Sequence, residues 1–101
     1  MNKLIIYPSA SKDIENIYNY ISLDLANPIA ADSFIDDLRD TFEKIVMFPK
    51  MYPIIDNPFV KDKSVRKALV KSYIVFYKVA VNEIQVLRVL HSRSNYQTLL
   101  K

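Results

Sequence analysis

An α+β domain follows from three observations on the sequence. A short apolar strand opens the chain, two stretches then repeat apolar residues at helical spacing, and the second half is dominated by β-branched and aromatic residues. At 101 residues, half of them hydrophobic, the chain is one domain, residues 1–101, with room for a single core. The expected architecture is an N-terminal strand, a helical hairpin, then a three-stranded antiparallel meander, with the helices packed on one face of a small sheet.

Lys3–Tyr7 reads as the first strand, stopped by Pro8. From Ser11 the period changes: Ile14, Ile17, Tyr18, Ile21 and Leu25 form one stripe of an amphipathic helix. Ser9 or Ser11 can cap it, with Asp13 and Glu15 in the first turn, where negative charge suits the helix dipole. Asn27-Pro28 looks like an N-cap followed by proline at the first helical position. A second stripe, Ala31, Phe34, Ile35, Leu38, Phe42 and Ile45, runs to Phe48-Pro49. The acids Asp32, Asp36, Asp37, Asp40 and Glu43 fall mostly off it, on a solvated face. Residues 49–63, punctuated by Pro49, Pro53 and Pro58, are expected to be irregular. Val65–Lys71, Tyr73–Ala80 and Ile84–Leu90 read as strands with turns near Ser72 and Asn82-Glu83. The short links favour a meander, and the first strand should join the sheet beside a late one.

The composition excludes several function classes. No apolar run approaches the roughly 18 residues of a membrane span, and four apolar residues before Pro8 are too few for a signal peptide. No cysteine is present, so there is no disulfide framework or thiolate metal site. A cytoplasmic protein is expected. Glycine is absent too, which removes every Gly-based nucleotide fingerprint. The net charge of +3 is unevenly spread: residues 1–59 carry five Lys/Arg against nine Asp/Glu, residues 60–101 nine against two. A basic half of this density is the electrostatic footprint of a polyanion partner, or else a solvated lysine-rich surface.

Within that half, basic and aromatic residues interleave with apolar ones. Lys67, Lys71, Tyr73 and Lys78 are the candidate nucleic-acid contacts. Alternation puts Arg66 on the opposite face from Lys67 and Lys71. In the last strand it groups Leu87, Val89 and His91 on one face, and Ile84, Val86, Arg88 and Leu90 on the other. Arg88 on that apolar face reads as a snorkelling or ion-paired arginine. Beyond the strand the only histidine, His91, is followed within six positions by Arg93 and Tyr96. His91 alone could equally be a strand-terminal residue bonded to a backbone carbonyl. With Arg93, Tyr96 and Arg66, it could serve RNA cleavage by 2′-OH attack. His91 would move the proton, Arg93 and Arg66 would clamp phosphate, and Tyr96 would stack or donate. A single histidine and dispersed acids make no recognisable metal-ligand set. Leu99 and Leu100 look like packing that pins the tail.

These residues carry a resemblance. The Ser9-Ala-Ser-Lys-Asp-Ile-Glu-Asn-Ile-Tyr-Asn-Tyr-Ile21 helix, the Phe48-Pro break, Val65-Arg-Lys, the Tyr73-Ile-Val-Phe-Tyr-Lys78 strand and the His91-Ser-Arg-Ser-Asn-Tyr-Gln-Thr-Leu-Leu100 ending occur in family order. Over essentially its full length the chain resembles the RelE/ParE superfamily of toxins from bacterial type II toxin–antitoxin modules. The resemblance implies a small sheet on a helical hairpin, no cofactor, no membrane, and a cognate antitoxin that neutralises the toxin in a hetero-oligomer. It implies one of two targets. RelE-like members cut mRNA on the ribosome without metal, whereas ParE-like members inhibit DNA gyrase and hydrolyse nothing. His91, Arg93, Tyr96 and Arg66 match positions that nucleolytic relatives use. Ser94 stands where many carry a second arginine, and Ile74 where an arginine often follows the residue opening the third strand; both thin the phosphate clamp. Ribosome-dependent mRNA cleavage is the leading expectation. Gyrase inhibition and an inactive antitoxin-binding relative are the alternatives.

Overall fold

The computed structural model describes residues 2–96 and 100. Its elements are β1 (Lys3–Ile6), α1 (Pro8–Asn19), α2 (Pro28–Met47), β2 (Arg66–Val70), β3 (Tyr73–Ala80) and β4 (Glu83–His91). The sheet order is β1-β4-β3-β2, antiparallel except that β1 pairs with β4 in parallel. The expected α+β architecture and the late partner of the first strand are both present.

Local chemistry sets most boundaries. Pro28 occupies the first helical position of α2, and the Asn27 side-chain oxygen accepts from the Ala30 N–H at 3.1 Å. α1 departs from expectation. It starts at Pro8 with no side-chain cap, so neither Ser9 nor Ser11 is its N-cap and no acid lies in its first turn. Pro8 pre-sets the first helical φ and lacks the N–H that a cap would satisfy. Ser9 instead donates to Leu87 C=O at 3.1 Å. α1 ends in a single π-turn, Tyr20–Asp24, whose extra residue per turn throws Leu25 off the helical stripe and leaves it exposed.

With no glycine available, left-handed backbone falls on Ala26 (φ 48°), Lys71 (φ 55°) and Asn82 (φ 57°). Asparagine tolerates this region; alanine and lysine do so at a cost of about 1 kcal/mol each.

The sheet is covered on both faces. On one, Ala10, Ile21, Phe34, Leu38 and Ile45 of the helical hairpin bury Val75, Tyr77, Ile84, Val86 and Val89. On the other, Ile55, Val60 and Val65 of the long connection meet Ile74, Phe76 and Leu90, joined by Leu87, Tyr96 and Leu100. Leu100 therefore pins the tail as expected, while Leu99 lies outside the described residues. The 48–65 connection is tied to the edge of β2 by Ile55 N–H to Val65 C=O at 2.9 Å and Lys67 N–H to Pro53 C=O at 3.0 Å. Tyr77, fully buried, donates its hydroxyl to Pro49 C=O at 2.8 Å, and burial pushes its phenol up to about 12.

A bulge alters the expected faces of β4. Tyr77 pairs with Val86 but its neighbour Phe76 pairs with Arg88, so Leu87 has no opposite residue. Val86 and Val89 consequently share the helix-side core, whereas Leu87 and Leu90 belong to the far side. The strict alternation read from the sequence holds only on each side of this point.

Candidate functional site

β4 delivers His91 to the helix side of the sheet. Its ring meets Tyr73 edge-on, with centroids 5.3 Å apart, and Tyr73 in turn packs on Phe34 of α2 at 5.1 Å. The two rings share a shallow cleft of about 380 Å³ with Asn16, Ile17 and Tyr20 of α1 and the turn that continues it. Burial, with the Tyr20 phenol close by, pushes the Tyr73 phenol upward. The His91 Nδ1 accepts the Arg93 backbone N–H at 3.1 Å, which places the proton of a neutral ring on Nε2. Ser94 closes the same turn. Its hydroxyl and its N–H both donate to His91 C=O, at 2.6 and 2.9 Å. A serine where relatives carry arginine thus acts here as a turn-forming residue. The turn is anchored by Ser92 N–H to Ser72 C=O at 2.8 Å. The Arg93 side chain has no hydrogen bond or ion pair among the described residues.

The other expected site residues lie elsewhere. Tyr96 sits on the opposite face of the sheet, its ring on Phe76 at 5.0 Å and its hydroxyl receiving Asn57 Nδ2 at 3.5 Å. Arg66 pairs with Tyr77, four residues along β3 from the Tyr73 that pairs with His91. Four strand positions are about 13 Å. Its guanidinium is occupied by Tyr52 C=O at 2.7 Å and Lys50 C=O at 3.4 Å, where it staples the long connection to β2. The structure brings His91 and the Arg93 backbone together, with Tyr73, and leaves Tyr96 and Arg66 apart from them.

The basic half is equally dispersed. Lys71 was expected on the face opposite Arg66, but its left-handed backbone turns it toward α2. There it meets Asp37 at 3.0 Å and Ser33 Oγ at 3.2 Å. Lys78 pairs with Asp62 at 2.7 Å; that contact, with Ser64, holds the Asp62 carboxyl at about 2. Lys67 has no side-chain partner among the described residues. The sheet face beyond the helices is an apolar core closed by the chain's own loop, not an open basic surface.

Of the two expectations for Arg88, snorkelling or ion-paired, the structure shows the ion pair. The Arg88 Nε and Nη2 donate to the two Asp13 oxygens at 2.7 and 2.8 Å. β1 stops opposite Val86, so the rest of β4 has no strand on that side. α1 fills the gap: Asp13 accepts the Val89 N–H at 3.0 Å and Ser9 donates to Leu87 C=O. Asp13 and Ser9, four apart on one helix face, thus satisfy a free strand edge.

Sequence reasoning did not single out the exposed apolar tip of the hairpin. Leu23, Leu25 and Ile29 are all exposed, Ile29 to 82%. Ile29 and Leu23 lie off both helical stripes, which was a readable signal. Asn16 and Tyr20 of the cleft were likewise missed, because no local pattern connects α1 to the end of β4.

The chain matches the family model for the ParE toxin of the type II toxin–antitoxin system parDE over residues 4–96. No curated protein matches it significantly by sequence. Among solved structures it is similar to a chain of the chromosomal ParDE toxin–antitoxin system from P. aeruginosa, with a TM-score of 0.71. The identity is 20%, covering 90% of this chain and 96% of that one, a likeness of fold. With a sheet packed on a helical hairpin and a family match across nearly its whole length, the chain belongs to the ParE toxin family of type II toxin–antitoxin systems.

Proposed function

We propose that this toxin arrests growth by binding and inhibiting DNA gyrase, and that it does not cleave RNA. The separation of the expected catalytic groups carries this reading. Cleavage requires a proton acceptor, a cation and a proton donor around one phosphate. Here Tyr96 is across the sheet from His91, and Arg66 is about 13 Å along it, bonded to loop carbonyls. Lys71 and Lys78 are each neutralised by an acid. Surfaces open to a protein target include the apolar hairpin tip and the exposed His91–Arg93 turn, joined by the half-exposed Tyr20.

A cognate antitoxin is the second partner, and the similarity to a ParDE system supports it. Such an antitoxin binds away from the outer sheet face, which is already filled by residues of this chain. Among the described residues no helix is long and apolar enough to cross a membrane, and gyrase is a cytoplasmic target.

Two assays run side by side test the reading. Purified toxin should block supercoiling by gyrase, while primer extension after induction should find intact mRNA. Ribosome-dependent cuts that vanish in His91→Ala and Arg93→Ala, with supercoiling untouched, would return the function to mRNA cleavage.

A further inference from the structure

β1 ends the sheet, with β4 on one side and no strand of the described residues on the other. Lys3 donates to Asn82 C=O and Tyr7 to Val86 C=O, each at 3.0 Å, so the odd residues face β4. Leu4 and Ile6 therefore turn their backbone groups outward. Unpaired edges of this kind template further pairing. Immediately beside this edge lies an open groove of about 450 Å³ between β1 and the last turns of α2, lined by Leu4, Arg39, Phe42, Glu43, Val46 and Met47. Met47 is 68% exposed.

We propose that this edge and groove form a two-fold contact with a second copy of the chain, β1 running antiparallel to its counterpart about an axis at Ile5. In that register Leu4 opposes the partner's Ile6, and Ile6 the partner's Leu4. Each pair exchanges two N–H···O=C bonds, using the outward groups and no others. Ile5 opposes itself. Lys3 faces the partner's Tyr7 rather than another lysine, so the edge lysine does not act as a guard against this pairing.

The charges select a second copy over an acidic or basic segment. The groove holds one cation and one anion, Arg39 and Glu43, four residues apart on α2. Such a lining is balanced, and balance is what an isologous interface requires. Arg39 is free to turn, since its contact with Asp36 is 3.4 Å long and both side chains are mostly exposed. The apolar remainder, Phe42, Val46 and Met47, lies on the same side as the hairpin, so pairing the edges also covers it. The result is a continuous eight-stranded sheet with the ends of both α2 helices adjoining across it. The contact is independent of the cellular target.

Light scattering on the purified full chain, from about 10 µM to 1 mM, should show mass rising from the 11.8 kDa of the monomer to twice that value. Ile6→Pro removes an outward donor and no bond to β4, and should lower the dimer association constant tenfold or more with the circular dichroism unchanged. Because the chain has no cysteine, Ile5→Cys supplies a positional readout. Directly opposed residues in a non-hydrogen-bonded pair lie about 4.5 Å apart between Cα atoms, within disulfide reach. Mild oxidation should convert that variant to a covalent dimer and leave Val81→Cys monomeric. An 11.8 kDa species at every concentration, with Ile5→Cys oxidising no faster than Val81→Cys, overturns the proposal. So does a monomer whose Leu4 and Ile6 amides gain exchange protection only when antitoxin is added, since the edge would then belong to an antitoxin strand.

Discussion

Asp13 ties α1 to the end of β4, since one carboxylate holds Arg88 through two bonds and the Val89 N–H through a third. Both members of the ion pair are largely buried, so removing one leaves an uncompensated charge and an open strand edge. Asp13→Ala should therefore destabilise the fold by about 3 kcal/mol in urea titration. Arg88→Met in that background should recover part of the loss, because the stranded cation goes with it. The left-handed residues give a prediction of opposite sign. Ala26→Gly relieves a positive φ and touches no core contact, and should raise stability by about 0.5 kcal/mol, the strain relieved less the flexibility added to the unfolded chain. Acid acts at Asp62, whose folded-state carboxyl lies at about 2 against 3.8 unperturbed, chiefly through Lys78. A depressed carboxylate stabilises the fold above its unfolded value, and that contribution is lost as pH falls from about 4 toward 2. Proton titration followed by NMR should find this midpoint, and Lys78→Met should raise it toward 3.8. The pair is solvent-facing, so the stability at stake is under about 1 kcal/mol.

At the scale of elements, the sequence was legible wherever one local rule acted alone. Asn27-Pro28 and Phe48-Pro49 bracket α2 as expected, and β3 spans the predicted Tyr73–Ala80. Misreadings arose where two neighbouring elements negotiated a position. The first turn of α1 was misplaced because Ser9 and Asp13 serve the edge of β4, more than 70 residues away. Leu25 falls on the expected helical stripe yet is exposed, because a π-turn cannot be seen in a 3.6-residue pattern. The candidate site suffered most. His91, Arg93 and Tyr96 are adjacent in sequence, but the sheet lies between the first and the last. Tyr96 serves the loop-side core, so Tyr96→Ala should cost about 3 kcal/mol by removing its ring from Phe76. Urea titration would measure that loss. Surviving gyrase inhibition in the remaining folded fraction would separate structural support from contact with the target.

For the molecule as a whole, the division of labour runs across the sheet. The helix side presents the cleft, the His91 turn and the hairpin tip, and the other side is closed by residues 49–65 and the tail. Exposed apolar residues at the tip contribute little to folding and are available to a partner. Leu23→Asp together with Ile29→Asp should change stability by less than about 1 kcal/mol, since both sites are exposed. Loss of growth arrest in cells, at unchanged protein level, would place the target on this tip. Full toxicity of the double variant would move it to the His91 turn.

The bulge at Leu87 has a consequence for the whole ending of the chain. Side chains along a strand obey parity, and one uncounted residue exchanges odd for even in everything that follows. His91 looks toward the hairpin because the number of residues before it is what it is, whatever the tail's composition. Deleting Leu87 would remove the miscount and leave His91 opposite Tyr73 on the hairpin side, whereas pairing Leu87 in a regular ladder would turn everything after it to the side where Tyr96 now lies. Two relatives with identical tails can therefore present opposite surfaces, and a graft of this ending onto another strand has to carry its miscount with it.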